Sequence, residues 1–280
     1  MKLILGASGQ LGRALRDRFP ESKCEDIDTL DITDSTAIEG YDWEGIDTVI
    51  NAAAYTNVDG AETAEGRVLA WRANAFAPGL LARAAATHGF GVVHFSTDYV
   101  FDGTKQPHAE TEAFSPLSVY GSSKAAGDIA ISTVKNHYIL RTSWVIGDGN
   151  NFVRTMLRLG EKGVNPSVVS DQIGRLTFTE TLVDAVDHIL SSRALNGTYN
   201  ITNQGDAVSW ADITREVFAL AGYSAEVTDT TTASYFAGKK DVAARPLYSE
   251  LDLSKIRDTG LELRDWRDDL KQYIDKEMRK

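Results

Sequence analysis

Met1-Lys2-Leu3-Ile4-Leu5 runs directly into Gly6-Ala7-Ser8-Gly9-Gln10-Leu11-Gly12. An apolar strand, a glycine-rich turn and a helix start, in that order, predict the opening unit of a parallel α/β sheet that holds a dinucleotide. Gly6 lets the chain turn sharply. Gly9 removes a side chain where the backbone must approach a pyrophosphate, and Gly12 permits close helix–sheet contact. The helix N-terminus offers unpaired N–H groups and positive potential to phosphates, with Gln10 and Leu11 beside it.

The chain continues in the same style. Lys2–Leu5, Thr48–Asn51, Gly91–Ser96 and Tyr138–Thr142 read as strands, Lys23–Ile27 as a weaker one. Gln10–Phe19, Gly66–Thr87 and Ser123–Val134 carry helical spacing between them. That alternation predicts a doubly wound, Rossmann-type parallel sheet. Pro78 is expected to bend or interrupt its helix unless it falls in a first turn. After Gly147 the pattern becomes mixed. Helices are expected at Asn151–Leu159, Thr179–Ser192, Ser209–Ala221 and Asp265–Met278, with Ser209 as an N-cap, and a short strand at Gly197–Ile201. Thr228–Ala233 fits no element well. The expected division is a dinucleotide-binding part at 1–147 plus 174–202, and a smaller, intertwined α/β substrate lobe at 148–173 plus 203–280.

The cofactor contacts extend beyond the glycine loop. An acid after the second strand, Asp26 or Asp28, stands at the distance where a carboxylate meets the adenosine ribose. A carboxylate there favours NADH by repelling a 2′-phosphate, whereas nearby Arg13 counters it, so NADPH and NADH both remain open. Asp31 and Ile32 are placed beside the adenine. The small side chains of Ala52, Ala53 and Ala54 admit the middle of the cofactor.

Composition narrows the partners. The 280 residues are 42% hydrophobic, enough for one large or two unequal cores, and carry a net charge of −11, which disfavours nucleic acid and anionic membrane. Cys24 is the only cysteine, no apolar run reaches membrane-spanning length, and the first strand starts at Met1, so a cytoplasmic protein is expected. The five histidines show no metal-ligand spacing, and no metal site is expected.

Ser96-Thr97 closes a strand, and Tyr120 then stands four residues before Lys124. At that spacing the two side chains share a helix face. Reduction of a ketone needs a hydride on carbon and a proton on oxygen, and a donor must serve the oxygen as charge grows on it. A phenol with pKa near ~10 suits this task if an adjacent ammonium pulls it down. Lys124 can supply that charge and bind the nicotinamide ribose. Thr97, at the carboxyl edge of the sheet, can hold the substrate oxygen. The Tyr–Lys spacing alone is common; the order of glycine loop, Ser-Thr strand end and Tyr–Lys pair carries the reading.

These residues identify a family. The chain resembles extended short-chain dehydrogenase/reductases, and among them the dTDP-4-dehydrorhamnose reductases, over essentially its whole length. Beyond Gly6–Gly12 the likeness rests on Asn51-Ala52-Ala53-Ala54-Tyr55-Thr56, Ser96-Thr97-Asp98-Tyr99-Val100-Phe101-Asp102-Gly103, Ser115-Pro116-Leu117 through Tyr120-Gly121, Arg141-Thr142-Ser143-Trp144, Asn151-Phe152-Val153, Asp171-Gln172-Ile173-Gly174-Arg175, and Ala244-Arg245-Pro246 with Ser249. The resemblance implies reduction of the C4 ketone of dTDP-4-dehydro-β-L-rhamnose by NAD(P)H, with Thr97, Tyr120 and Lys124 as the catalytic set. It implies Thr56, Val58, Tyr99 and Trp144 near the sugar, and Asn151 and Arg245 near the pyrophosphate of this nucleotide-sugar substrate. Leu176 and Ile146 depart from the family's usual proline and tyrosine. Some relatives dimerise through magnesium using a glutamate early in the first helix. Ala14 stands there instead, leaving monomer or homodimer open. Tyr99 replaces the glutamate that a 4,6-dehydratase uses, which counts against dehydration. An epimerase of the same superfamily and a dinucleotide-binding regulatory subunit are the remaining alternatives.

Overall fold

Six parallel strands form the central sheet: β1 (Lys2–Leu5), β2 (Lys23–Glu25), β3 (Thr48–Asn51), β4 (Gly91–Thr97), β5 (His137–Thr142) and β6 (Gly197–Asn200). A computed structural model describes residues 1–192 and 194–279. The strand order is β6-β5-β4-β3-β1-β2. From β1 the chain winds outward to β2, then returns to the other side of β1 as β3. That reversal opens a crevice at the carboxyl ends of β1 and β3, where open α/β sheets take their ligands. The fold is the Rossmann-type α/β class expected from the alternating pattern.

The strands read as continuous apolar runs because both faces of the sheet are covered. Leu3, Leu5, Val49, Val92 and Ile139 pack with Leu80, Leu81 and Ile131 on one face. Their neighbours Ile4, Ile50, Val93 and Leu140 pack with Leu15, Leu182, Val186 and Ile189 on the other. The covering helices are α1 (Gln10–Arg18), α3 (Ala77–His88), α4 (Val119–Ser132) and α6 (Thr179–Ser191), while α2 (Ala64–Trp71) packs on α4 and on the segment that follows α2 itself. A further cluster, with Val153, Phe178, Ile213, Val217, Trp266 and Leu270, joins α5 (Phe152–Glu161), α7 (Trp210–Ala221) and α8 (Trp266–Glu277).

Several boundaries differ from expectation for local reasons. The helix expected over Gly66–Thr87 is split by a π-helical segment, Arg72–Phe76, and α3 begins beyond it with Pro78 in its first turn. The proline's missing N–H is tolerated there. α4 begins at Val119 rather than Ser123. The Ser118 hydroxyl caps it by accepting from Gly121 N at 3.1 Å, and Glu62 Oε1 accepts from Val119 N at 2.9 Å. Ser209 caps α7 as expected, in a reciprocal capping box with Asp212. Ser35–Gly40 is a short helix that the pattern did not reveal; its cap is Asp34. Thr228–Thr230 pairs as a strand with Ser167–Val169, and Thr232–Phe236 is a short helix.

Two glycines fix the first turn. Gly6 has φ +74°, and a Cβ on it would lie 2.7 Å from Ala53 Cα. A Cβ on Gly12 would lie 2.0 Å from Gly6 O and 2.8 Å from Ala7 Cα, all backbone that cannot swing aside. Gly12→Ala is therefore expected to destabilise the protein by about 3 kcal/mol or more. Thermal and urea melts check this, and a wild-type melting curve would show that α1 does not press on the loop.

Candidate active site

The crevice is assembled from strand ends. Gly6 follows β1, Asn51 to Ala54 follow β3, Thr97 ends β4, and Trp144 follows β5. Gly9 is the N-cap of α1 and supplies no side-chain cap, so the first N–H groups of this nine-residue helix are left for a ligand. Gly9 has only Gly6 O near an imagined Cβ, at 3.2 Å. These features suit a pyrophosphate. Gln10 Nε2 donates to Val145 O at 3.3 Å, tying the helix start to the segment after β5.

The acid beside this turn is Asp26. Its carboxylate accepts from Ser8 N at 2.7 Å and from Ile27 N at 2.8 Å. Burial acts to raise its pKa, but the hydrogen bonds from Ser8 and Ile27 prevail and hold it below the usual range. Asp28 lies exposed in the following turn. Asp31 is half-buried and accepts from Thr33 N at 2.8 Å, whereas the Ile32 side chain lies in the core cluster, leaving only its backbone for a ligand. Arg13 is held by Ser8 O and Asp148 O.

Tyr120 and Lys124 lie on one face of α4, as spacing predicts. Gly121 lets α4 sit against the Tyr99 loop, since a Cβ there would lie 2.2 Å from Tyr99 O. The half-buried Tyr120 ring meets Tyr99 edge-on with centroids 5.5 Å apart, and its phenol interacts with the Thr97 hydroxyl. Lys124 is 2% exposed. Its Nζ donates to Phe95 O at 2.6 Å and faces His94 Nε2 at 3.4 Å. Burial lowers its pKa to about 8, with Asp128 opposing the shift.

This electrostatic arrangement corrects one expectation. The Tyr120 phenol is pushed up rather than pulled down, first by burial and then by the Asp98 charge. Lys124 points to the β4 backbone instead. A reduction needs the protonated phenol, which the upward shift preserves while making it a weaker acid, so the charge that grows on the substrate oxygen must draw the proton off.

Other expected positions are distributed unevenly. Trp144 has φ +49°, an unusual conformation for a bulky side chain, and stacks on Trp210 at 3.8 Å. Thr56 is exposed and Val58 half-buried on the loop after β3. Arg245 lies near Tyr99, but its guanidinium pairs with Asp59 Oδ2 at 2.8 Å, so an anion must compete with that carboxylate. Asn151 is the N-cap of α5. Its oxygen accepts from Arg154 N, and its NH2 group donates to Gly147 O, Gly149 O and Tyr273 Oη. No hydrogen is left over for a pyrophosphate.

Some residues around the site carried no expectation. Asn74, 1% exposed in the π segment, holds both Tyr55 N and Tyr55 O and donates to Ser123 Oγ at 3.1 Å. The one sequence signal is a lone amide amid Arg72-Ala73-Asn74-Ala75-Phe76. Asp128 pairs with Arg141 at 3.0 Å, both buried. Asp98 lies between Thr97 and Tyr99 and is 3% exposed. A cavity of 680 Å³ between α1, α6 and α8 is lined by Arg13, Ala14, Arg154, Glu180 and Glu277, reaches the glycine loop at Gln10, and does not include Tyr120 or Lys124. Among the described residues no three potential metal ligands converge, and no helix is long and apolar enough to cross a membrane.

The switch-point crevice, the glycine turn and the Tyr–Lys face of α4 together define a short-chain dehydrogenase/reductase. Comparison with known proteins sharpens this. The family model for the RmlD substrate binding domain matches residues 1–279. The dTDP-4-dehydrorhamnose reductase of Aggregatibacter actinomycetemcomitans is 38% identical, covering 96% of each chain. A probable dTDP-4,6-dihydroxy-2-methyloxan-3-one 4-ketoreductase of Streptomyces antibioticus is 40% identical, over 96% of this chain and 93% of its own. The crystal structure of a dTDP-4-dehydrorhamnose reductase from Clostridium acetobutylicum superposes with a TM-score of 0.91 at 38% identity, covering 98% of this chain and 99% of that one. The Bacillus anthracis reductase in complex with NADP gives 0.90 at 34% identity, covering 98% of each. The chain belongs to the dTDP-4-dehydrorhamnose reductase family of oxidoreductases.

Proposed function

We propose that this protein reduces the C4 ketone of dTDP-4-dehydro-β-L-rhamnose to dTDP-L-rhamnose, with Tyr120 as proton donor. The observation that carries the reading is the Tyr120 phenol beside Thr97, on the helix face of a buried Lys124. A nicotinamide dinucleotide, NADPH or NADH, supplies the hydride. Gly6 to Gly12 and the uncapped start of α1 hold its phosphates, with Asp26 beside the ribose and Ala52 to Ala54 along the middle. Lys124 binds the nicotinamide ribose. Thr97 donates to the carbonyl oxygen while Tyr120 releases its proton to that oxygen. Tyr99 and Trp144 line the sugar, an apolar indole face against the deoxysugar. Residues 1–147 and 174–202 form the dinucleotide part; 148–173 and 203–280 form the substrate lobe.

The test is NAD(P)H oxidation with dTDP-4-dehydrorhamnose generated in situ. Because a 40%-identical relative bears the name of a different 4-ketoreductase, other dTDP-4-keto sugars belong in the same assay. Stoichiometric oxidation with the rhamnose precursor supports the reading. Cofactor binding without turnover on any of these sugars contradicts it, and so does interconversion without net oxidation.

Trp144→Ala should raise KM for the keto sugar about tenfold with kcat little changed, because stacking binds ground state and transition state alike. Steady-state kinetics at saturating cofactor check this. A change confined to kcat would place the indole elsewhere.

A further inference from the structure

Thr97 has one proton, and the structure shows where it goes. Thr97 Oγ1 donates to Asp98 Oδ1 at 3.0 Å and accepts from Tyr99 N at 3.2 Å. In that state it has no hydrogen for a carbonyl oxygen in the crevice. Asp98 is 3% exposed; no group among the described residues meets full hydrogen-bond geometry at its Oδ2, and beyond Thr97 the Ser249 hydroxyl is the side chain close enough to steady the carboxylate. No ion pair to it occurs among the described residues either, an expensive condition for a buried carboxylate.

We propose that Asp98 is a positioning residue that must carry a proton for Thr97 to donate to the substrate carbonyl, an inference that rests on the reading of Thr97 given above. Protonation reverses the hydrogen bond without moving either residue. Asp98 Oδ1–H then donates to Thr97 Oγ1, whose second lone pair keeps Tyr99 N–H. The Thr97 proton turns toward the crevice. Loss of the carboxylate charge also removes one of the influences that hold the proton on Tyr120.

The surroundings put this switch in a working range. The groups that bear on Asp98 are Thr97 and Tyr99 beside it in the chain, Tyr120 on α4, Ser249 in the C-terminal segment, and His108 in the loop before α4. His108 is itself bonded to Glu112 at 2.9 Å. Burial raises the Asp98 pKa to about 6, against the hydroxyls of Ser249 and Thr97 and the more distant His108. The proton is therefore lost as pH rises through about 6.

The experiment is the pH profile of kcat/KM for the keto sugar in wild type, Asp98→Asn and Thr97→Val, with cofactor affinity measured at each pH. Wild type should fall as pH rises above about 6, approaching tenfold per pH unit, because kcat/KM reports ionisations of the free enzyme. Asp98→Asn should stay active and lose that limb, since an amide NH2 can donate to Thr97 Oγ1 at any pH. Thr97→Val should be slower and also lack the limb. Persistence of the wild-type limb in either variant overturns the proposal. So does an Asp98→Asn enzyme that binds cofactor normally yet is at least tenfold slower throughout. If Asp98→Asn does not fold, Thr97→Val alone decides. Full turnover in Tyr120→Phe is a separate failure that removes the underlying reading, whatever the Asp98 profile.

Discussion

Tyr120→Phe is expected to lower kcat by about 10²–10⁴-fold, the usual contribution of a positioned acid, while cofactor affinity stays within about twofold of wild type. The variant removes one oxygen and keeps the ring, so the edge-on contact with Tyr99 at 5.5 Å survives. The fold at that point rests on α4, whose cap at Ser118 and close approach at Gly121 are untouched. The loss should appear in kcat and kcat/KM alike, because proton transfer to the carbonyl oxygen occurs only in the transition state. Cofactor titration by fluorescence and single-turnover hydride transfer separate the two effects. Undiminished transfer would mean that another group, or water, supplies the proton. Asp98, the raised carboxyl that acts most strongly on Tyr120, would then be the first residue to examine.

The reach of sequence reasoning differs between parts of this molecule for definable reasons. β1, β3 and the glycine loop were legible because buried parallel strands impose continuous apolar runs and the turn demands glycine at fixed places. The Tyr120–Lys124 face was legible because helical spacing is local. What escaped were contacts between groups remote in sequence. Whether Asp26 or Asp28 braces the glycine loop depends on where β2 stops, and β2 ends at Glu25, two residues short of the expected strand end. Ile32 looked available to a ligand, yet the following helix, Ser35–Gly40, turns it into the core. Asn151 carries a family motif, but the same residue type is a strong helix cap, and here the cap explains its bonds. The electrostatics were the least accessible. Spacing placed an ammonium one turn from the phenol, but the carbonyl of Phe95 and the imidazole of His94 claim that ammonium, and only the packing of α4 on β4 reveals it.

That placement of Lys124 carries the second large effect. Lys124→Ala should weaken cofactor binding at least tenfold and cut kcat by about 10²-fold or more, because one group is asked to hold the ribose and to support proton delivery. It also leaves Phe95 O without its 2.6 Å donor and Asp128 with Arg141 as its one remaining cationic neighbour among the described residues, so some loss of stability accompanies the change. A stability effect alone cannot mimic the pH signature. Burial lowers the Lys124 pKa to about 8, so the ammonium is present below that pH and is lost as pH rises through it. Wild-type cofactor affinity should therefore decline above pH about 8, and Lys124→Ala should bind weakly with no such decline. The Asp98 limb lies lower and belongs to the sugar's kcat/KM, so Asp98→Asn should retain the cofactor decline that Lys124→Ala lacks. A Lys124→Ala enzyme whose cofactor affinity still falls through the same pH range would transfer that ionisation to another group and leave Lys124 a packing residue between α4 and β4.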